Sequence, residues 1–172
     1  QTIRHRPDID QPFSLQIGNA ERIAEITGID VISDFRTADI AAGGQGAPLA
    51  PAFHNAVFRD SKIDRAVINI GGISNITVLP ANTQQPVIGF DCGPGNTLMD
   101  TWCQQHTGKP YDDKGEIAAS GKTNARFLAR ILMDPYFLMP PPKSTGFEYF
   151  NMAWLESFTD DSFTLADLSV AD

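Results

Sequence analysis

The sequence predicts an α/β fold, and three observations carry that prediction. In residues 13–33 a β-type segment, a helical segment and a second β-type segment follow one another with short links, the rhythm of an α/β domain rather than of a sandwich or a bundle. A glycine-pinched hairpin occupies Val67 to Pro80. A further β segment, Val87 to Phe90, leads through a glycine-rich turn into a helix with an apolar face. A mixed sheet with flanking helices is the expected arrangement.

At 172 residues, with 42% hydrophobic and 20% charged residues, the chain has enough material for one good core or two small ones. A net charge of −8 leaves no basic stripe to replace phosphate counterions, so nucleic acid is not an expected partner; Arg4, His5 and Arg6 are the only basic cluster. No apolar run reaches the length of a membrane span. Cys92 and Cys103 have no partners at metal-ligand spacing, and neither a zinc site nor a disulfide framework follows, which fits a reducing cytoplasm. The chain begins on Gln1 and ends where Thr164-x-x-Asp167 opens a helix, so it is expected to be a piece of a longer protein.

The elements follow in order. Gln1 to Pro7 and Phe13 to Ile17 alternate apolar and polar residues, predicting an antiparallel pair joined by Pro7 to Pro12. Asn19 caps a helix with Ala20, Ile23, Ala24 and Thr27 on one face, Gly28 closes it, and a strand is expected at Ile29 to Ser33. Asp34 to Gly46 is too polar and glycine-rich for regular structure, yet it holds Asp34, Arg36 and Asp39 beside three glycines after a strand's carboxyl end, where open α/β sheets keep ligands. Pro48 suits a first helical turn, and Leu49 to Phe58 reads as helix with His54 on its surface. The charged run Arg59 to Asp64 is the candidate boundary between two lobes, residues 1–63 and 64–172.

The hairpin Val67 to Pro80 has Gly71-Gly72 at its tip. As an ordinary type I′ turn the glycines serve only the positive φ; as an anion site, the bare backbone admits a phosphate to the amides of Ile73 and Ser74, with Ser74 and Asn75 adding side-chain donors. Asn96 is the expected cap of a helix buried through Leu98, Met99, Trp102 and Cys103. Gly108 to Gly121 reads as a polar loop with a solvated acidic pair, Asp112-Asp113. Thr123 to Met133 is a helix ended by Asp134-Pro135. Prolines 140–142 hold the next segment extended, and Thr145-Gly-Phe-Glu148 is a capping box for a helix with Phe147, Phe150, Asn151, Trp154 and Phe158 inward. Lys143, just before it, is either a grip on an anion or a solvated lysine in a rigid turn.

Four stretches, Asp34-Phe-Arg-x-x-Asp-Ile-Ala-Ala-Gly-Gly-Gln-Gly-Ala-Pro-Leu49, Asn69-Ile-Gly-Gly-Ile-Ser-Asn75, Gly89-Phe-Asp-Cys-Gly-Pro-Gly-Asn96 and Pro140-Pro-Pro-Lys-Ser-Thr-Gly146, closely resemble the bacterial anhydro-N-acetylmuramic acid kinases over nearly the whole chain. The resemblance implies the actin-like ATPase (ribonuclease H-like) fold, in which two α/β lobes close on ATP and Mg²⁺. It implies ATP-dependent opening of a 1,6-anhydro sugar ring with phosphorylation of O6. The implied partners are the small-molecule sugar and ATP, with a homodimer as a further candidate and no nucleic acid or membrane. The family's first phosphate hairpin and its adenosine region have no counterpart in these 172 residues, so the chain is expected to carry part of a kinase and to be inactive alone. The competing reading is a non-catalytic nucleotide-binding module of the same class.

By this resemblance Asn69, Gly71, Gly72, Ser74 and Asn75 form the second phosphate hairpin. Asp91, leaving a buried strand before a helix N-terminus, is the expected general base, with Asp39 as the alternative. Arg36, Gly93, Gly95 and Asn96 are the expected sugar-binding residues, and no protein-held metal is expected.

Overall fold

A computed structural model describes residues 2–159 of the chain; the helix start expected at Thr164 to Asp167 lies outside them. Strands β1 (Thr2–Arg6) and β2 (Phe13–Gln16) form the expected antiparallel pair, with His5 opposite Ser14 and Arg6 opposite Phe13. Helix α1 (Ala20–Thr27) is capped as its sequence predicts: the Asn19 side chain accepts from the Arg22 amide at 2.8 Å, and Gly28 closes the helix at φ 66°. The strand expected at 29–33 does not form, and Ile32 is 79% exposed. Its β-branched residues have the propensity, but a strand exists only by pairing, and no described strand runs beside it.

The following loop is more regular than its composition implies. Its glycine-free stretch forms a short helix, α2 (Thr37–Ala41), anchored by buried Ile40, and the glycines are confined to the turn after it. Helix α3 (Pro51–Phe58) starts at Pro51 rather than near Pro48, because a proline in the first turn gives up no helical hydrogen bond. His54 is half-buried rather than plainly on the surface: its Nδ1 lies 2.8 Å from Thr77 Oγ1 on the sheet beneath. In the charged run that follows, Arg59 donates to the carbonyls of Pro80, Asn82 and Gln85 at 2.9–3.0 Å.

Strands β3 (Arg65–Ile70), β4 (Ile73–Leu79) and β5 (Ile88–Pro94) make a sheet in the order β3-β4-β5. The expectation of a mixed sheet is corrected here, since all described pairings are antiparallel. Every link between paired strands is a hairpin, whereas a parallel partner needs a crossover. The third strand also runs past Phe90 to Pro94, and its register shifts at Cys92, which has no partner between Asp91 opposite Asn75 and Gly93 opposite Ser74.

Helix α4 (Asn96–Thr107) follows, with Gly95 rather than Asn96 at the cap position. The amides of Gly95 and Thr97 donate to the carbonyl of Gly72, and that of Asn96 to Gly71, so the hairpin tip itself satisfies the helix N-terminus. Neither Gly71 nor Gly72 has a positive φ; close approach constrains Gly72 and Gly95 instead, because a Cβ on Gly95 would overlap the Gly71 carbonyl and one on Gly72 would stand 2.7 Å from Thr97 Oγ1.

Beyond α4, a 3-10 turn (Asp113–Gly115) leads into α5 (Glu116–Ser120). Asp112 is not simply solvated, since its carboxylate accepts from the amides of Ile117 and Ala118 and falls below the usual range through those bonds. Helix α6 (Ala125–Ile131) faces α4 across an apolar cavity of about 330 Å³. Asp134-Pro135 starts α7 (Pro135–Leu138) as well as ending α6. The capping box at 145–148 is not used: residues 147–149 form a turn, and α8 (Met152–Glu156) begins after Asn151, which caps it. Rings of Tyr136, Tyr149, Phe150 and Trp154 pack edge to face or tilted, and Asp134 at their centre accepts from Tyr149 Oη at 2.9 Å and Trp154 Nε1 at 2.8 Å. Lys143 is neither solvated nor free to grip an anion. It is 6% exposed, donates to the Tyr136 carbonyl at 2.8 Å and lies 4.6 Å from the centre of that ring.

Candidate active site

Directly opposed residues in an antiparallel sheet share a face. Asn69 faces Asn75 and Asn75 faces Asp91, so three polar side chains form one row across β3, β4 and β5. The next row on that face, Val67-Thr77-Gly89, is covered by α3 through the His54–Thr77 contact and through Pro51, which fills the space a Cβ on Gly89 would take. The sheet is therefore sealed at one row and open at the next. The open row lines a cleft of about 620 Å³, whose other walls are β1, Arg36, residues 47–50 and residues 145–148.

Asp91 is held from three directions. Its amide donates to the Lys143 carbonyl at 3.1 Å, its carbonyl accepts from Tyr136 Oη at 2.9 Å, and Oδ2 accepts from the Thr145 amide at 3.0 Å. The residue is 6% exposed. Burial raises its pKa above the ordinary 3.8, with the Thr145 hydrogen bond and the charge of Arg36 acting the other way. Oδ1 accepts no bond from a described residue. No described buried side-chain polar atom lacks a partner, so this oxygen is not sealed in and opens on the cleft.

Of the residues singled out by sequence, Asp91, Arg36, Asn69 and Asn75 meet in this cleft. Arg36 is fixed by donating to the Gly46 carbonyl at 2.5 Å. Asp39 is elsewhere: its Oδ2 accepts from the Gly46 amide at 2.6 Å, and its carboxylate occupies the space beside Gly44, so it closes the glycine loop that carries the Arg36 anchor. Gly71, Gly72, Gly95 and Asn96 form the junction of hairpin tip and helix, Ser74 donates to the Pro94 carbonyl at 3.4 Å, and Gly93 packs under Phe137. Sequence reading missed Arg4, His5, His54 and Glu148 as cleft residues. None lies in a motif whose spacing announces chemistry, and only the fold brings them to Asp91.

The chain matches the anhydro-N-acetylmuramic acid kinase family model over residues 1–170. It belongs to the anhydro-N-acetylmuramic acid kinase family. Proteins of that name from Coxiella burnetii (strain Dugway 5J108-111) and Xanthomonas campestris pv. campestris (strain 8004) are 55% and 58% identical to it over 91% and 90% of this chain, and one from Nitrosospira multiformis is 51% identical over 99%. The chain spans two fifths to one half of their length, 42%, 40% and 48% respectively. The four stretches that resemble the anhydro-N-acetylmuramic acid kinases, scattered over residues 34–146, each contribute at least one wall of the same cleft: Arg36 and Pro48, Asn69 and Asn75, Asp91, and Thr145 with Gly146. No helix among the described residues is long and apolar enough to cross a membrane.

Proposed function

We propose that the chain is part of an ATP-dependent kinase that opens the 1,6-anhydro ring of anhydro-N-acetylmuramic acid and phosphorylates O6, in the recycling of cell-wall sugars in the cytoplasm. Family membership supports the reaction class, and the free oxygen of Asp91 facing a sugar-sized cleft carries the assignment of the base. In this reading residues 1–63 end one actin-like lobe and residues 64–172 begin the next. The cleft is lined by β1 and by the β3-β4-β5 sheet, which supports that division.

Asp91 Oδ1 takes a proton from water, whose oxygen bonds to the anomeric carbon as the bond from that carbon to O6 breaks. O6 takes the γ-phosphoryl group from ATP, and ADP leaves. Burial makes Asp91 a stronger base than a solvated carboxylate, and the Thr145 amide keeps it oriented. Arg36 supplies a planar donor set for a sugar hydroxyl or carboxylate, while Asn69 and Asn75 offer amide donors to the transferring phosphoryl group. Gly71 and Gly72 hold the hairpin against α4, Ser74 ties it to the Pro94 carbonyl, and Asp39 holds the glycine loop. Mg²⁺ bound with ATP would neutralise the charge that builds on the transferring phosphoryl group. A pure nucleotide-binding module has no use for a free carboxylate oxygen in a second polar pocket.

In the complete protein, Asp91→Asn preserves size and the Thr145 contact but removes the basic lone pair. Its kcat should fall by at least about 10², with KM for the sugar changed by no more than a few fold. Asp39→Asn should be milder. A near-parental rate for Asp91→Asn beside an inactive Asp39→Asn would move the role to Asp39.

A further inference from the structure

His5 is 8% exposed, and the proposed chemistry does not use it. Its ring sits between two serines, Nδ1 at 3.0 Å from Ser14 Oγ and Nε2 at 3.4 Å from Ser144 Oγ. The surrounding bonds favour one direction for each proton. Gln16 Nε2 donates to Ser14 Oγ at 2.8 Å, and the Ser14 proton is free to meet an unprotonated His5 Nδ1. Ser144 donates its own proton to Gln45 Oε1 at 3.0 Å, so its oxygen accepts the proton on Nε2. In the neutral ring the proton then sits on Nε2, and the ring joins β1 and β2 to the glycine loop and to residue 144.

Ser144 is flanked by the two residues that hold the base: the Lys143 carbonyl accepts from the Asp91 amide, and the Thr145 amide donates to Asp91 Oδ2. We propose that His5 is a positioning residue for Asp91, acting through Ser144 to fix the 143–145 segment and with it the Thr145 hydrogen bond to the carboxylate. This rests on Asp91 being the base, as proposed above. The groups facing the ring agree with it: burial and Arg36 hold its pKa below 6.5 against the carboxylates of Glu148 and Asp8 and the Gln45 backbone, which keeps it uncharged near pH 7. Arg4 and Arg6 flank it on the same strand and Lys143 lines the adjoining cavity, so no cation next to it favours a charged ring.

The test follows the titration of Asp91 in the complete protein by carbon-13 NMR of labelled aspartates, the Asp91 signal being the one lost in Asp91→Asn. Ser144→Ala and His5→Phe should each raise the Asp91 midpoint by roughly half a pH unit or more, because each frees the Thr145 amide that favours the carboxylate. The double variant should go no further, and His5→Gln, which keeps a donor toward Ser144, should return most of the shift. The acidic limb of kcat/KM should move in the same direction. A merely structural role would lower Tm and leave the midpoint in place. If His5→Phe does not fold, Ser144→Ala, which removes one oxygen, decides alone. A midpoint within about 0.2 unit of the parent in folded Ser144→Ala overturns the proposal. A shifted midpoint in a protein that does not turn over the anhydro sugar would keep the positioning role and sink the proposed reaction instead.

Discussion

Asp91 and Lys143 are both ionisable and both 6% exposed, yet the fold treats them differently. Lys143 spends its ammonium on a carbonyl and an aromatic face, which makes it part of the core. Asp91 keeps one oxygen unbonded to any described residue, and its ionisation is opposed by burial. A carboxyl whose native pKa is raised costs the folded state stability above that pKa and nothing below the ordinary 3.8. Asp91→Asn should therefore raise Tm at pH 7 in the complete protein, and the gain should shrink as pH falls towards 3.8. Thermal melts of the two proteins across that range check the sign; a destabilised Asp91→Asn at pH 7 would mean that its bonds to the chain outweigh its burial. Higher stability together with a lost rate is the pattern of a site held at some expense to the fold.

Among the elements, the β3–β4 hairpin and α4 act as one unit. The tip carbonyls of Gly71 and Gly72 take the first amides of α4, a role a phosphate would otherwise compete for. That junction has no room for a side chain at Gly95. Gly95→Ala should destabilise the protein by about 1–3 kcal/mol, the usual cost of forcing a methyl group into packed structure. Urea unfolding would read this as a lower midpoint at unchanged m-value. Because the Asn69-Asn75-Asp91 row stands on the same strands, sugar turnover should fall as well, with kcat more affected than KM. A fully stable Gly95→Ala would show that the tip can move away from the helix without cost.

At the scale of the whole molecule, the cleft collects residues from Thr2 to Glu148, and its floor is a three-stranded sheet whose edge strand β3 leaves Ile68 64% exposed. Phosphoryl transfer depends on holding ATP, sugar and base together, and a misplacement of about 1 Å is enough to cost two orders of magnitude in rate. Since the chain spans two fifths to one half of its relatives, the 172-residue chain alone is expected to show no turnover of anhydro-N-acetylmuramic acid with ATP. Measurable ADP release that depends on the sugar would show that this chain holds a whole site.

The sequence by itself determined what short-range forces decide. Alternation set the β1–β2 pair, Asn19 and Gly28 bracketed α1, and β-branched residues around Gly71-Gly72 made the central hairpin, because each depends on neighbours within a few residues. The motifs also located the family and, in Asp91, Arg36, Asn69 and Asn75, four residues that share a cleft. Partners far along the chain were beyond its reach. Residues 29–33 have strand propensity and no described strand to pair with, and Glu148 belongs to an unused capping box and faces the cleft instead. The roles of Lys143, Asp39 and His5 were decided by what stands opposite them once the chain is packed. Thr145 reaches Asp91 across 54 residues and Ser144 reaches His5 across 139, and burial and hydrogen bonding at such separations depend on tertiary contacts that no local pattern encodes.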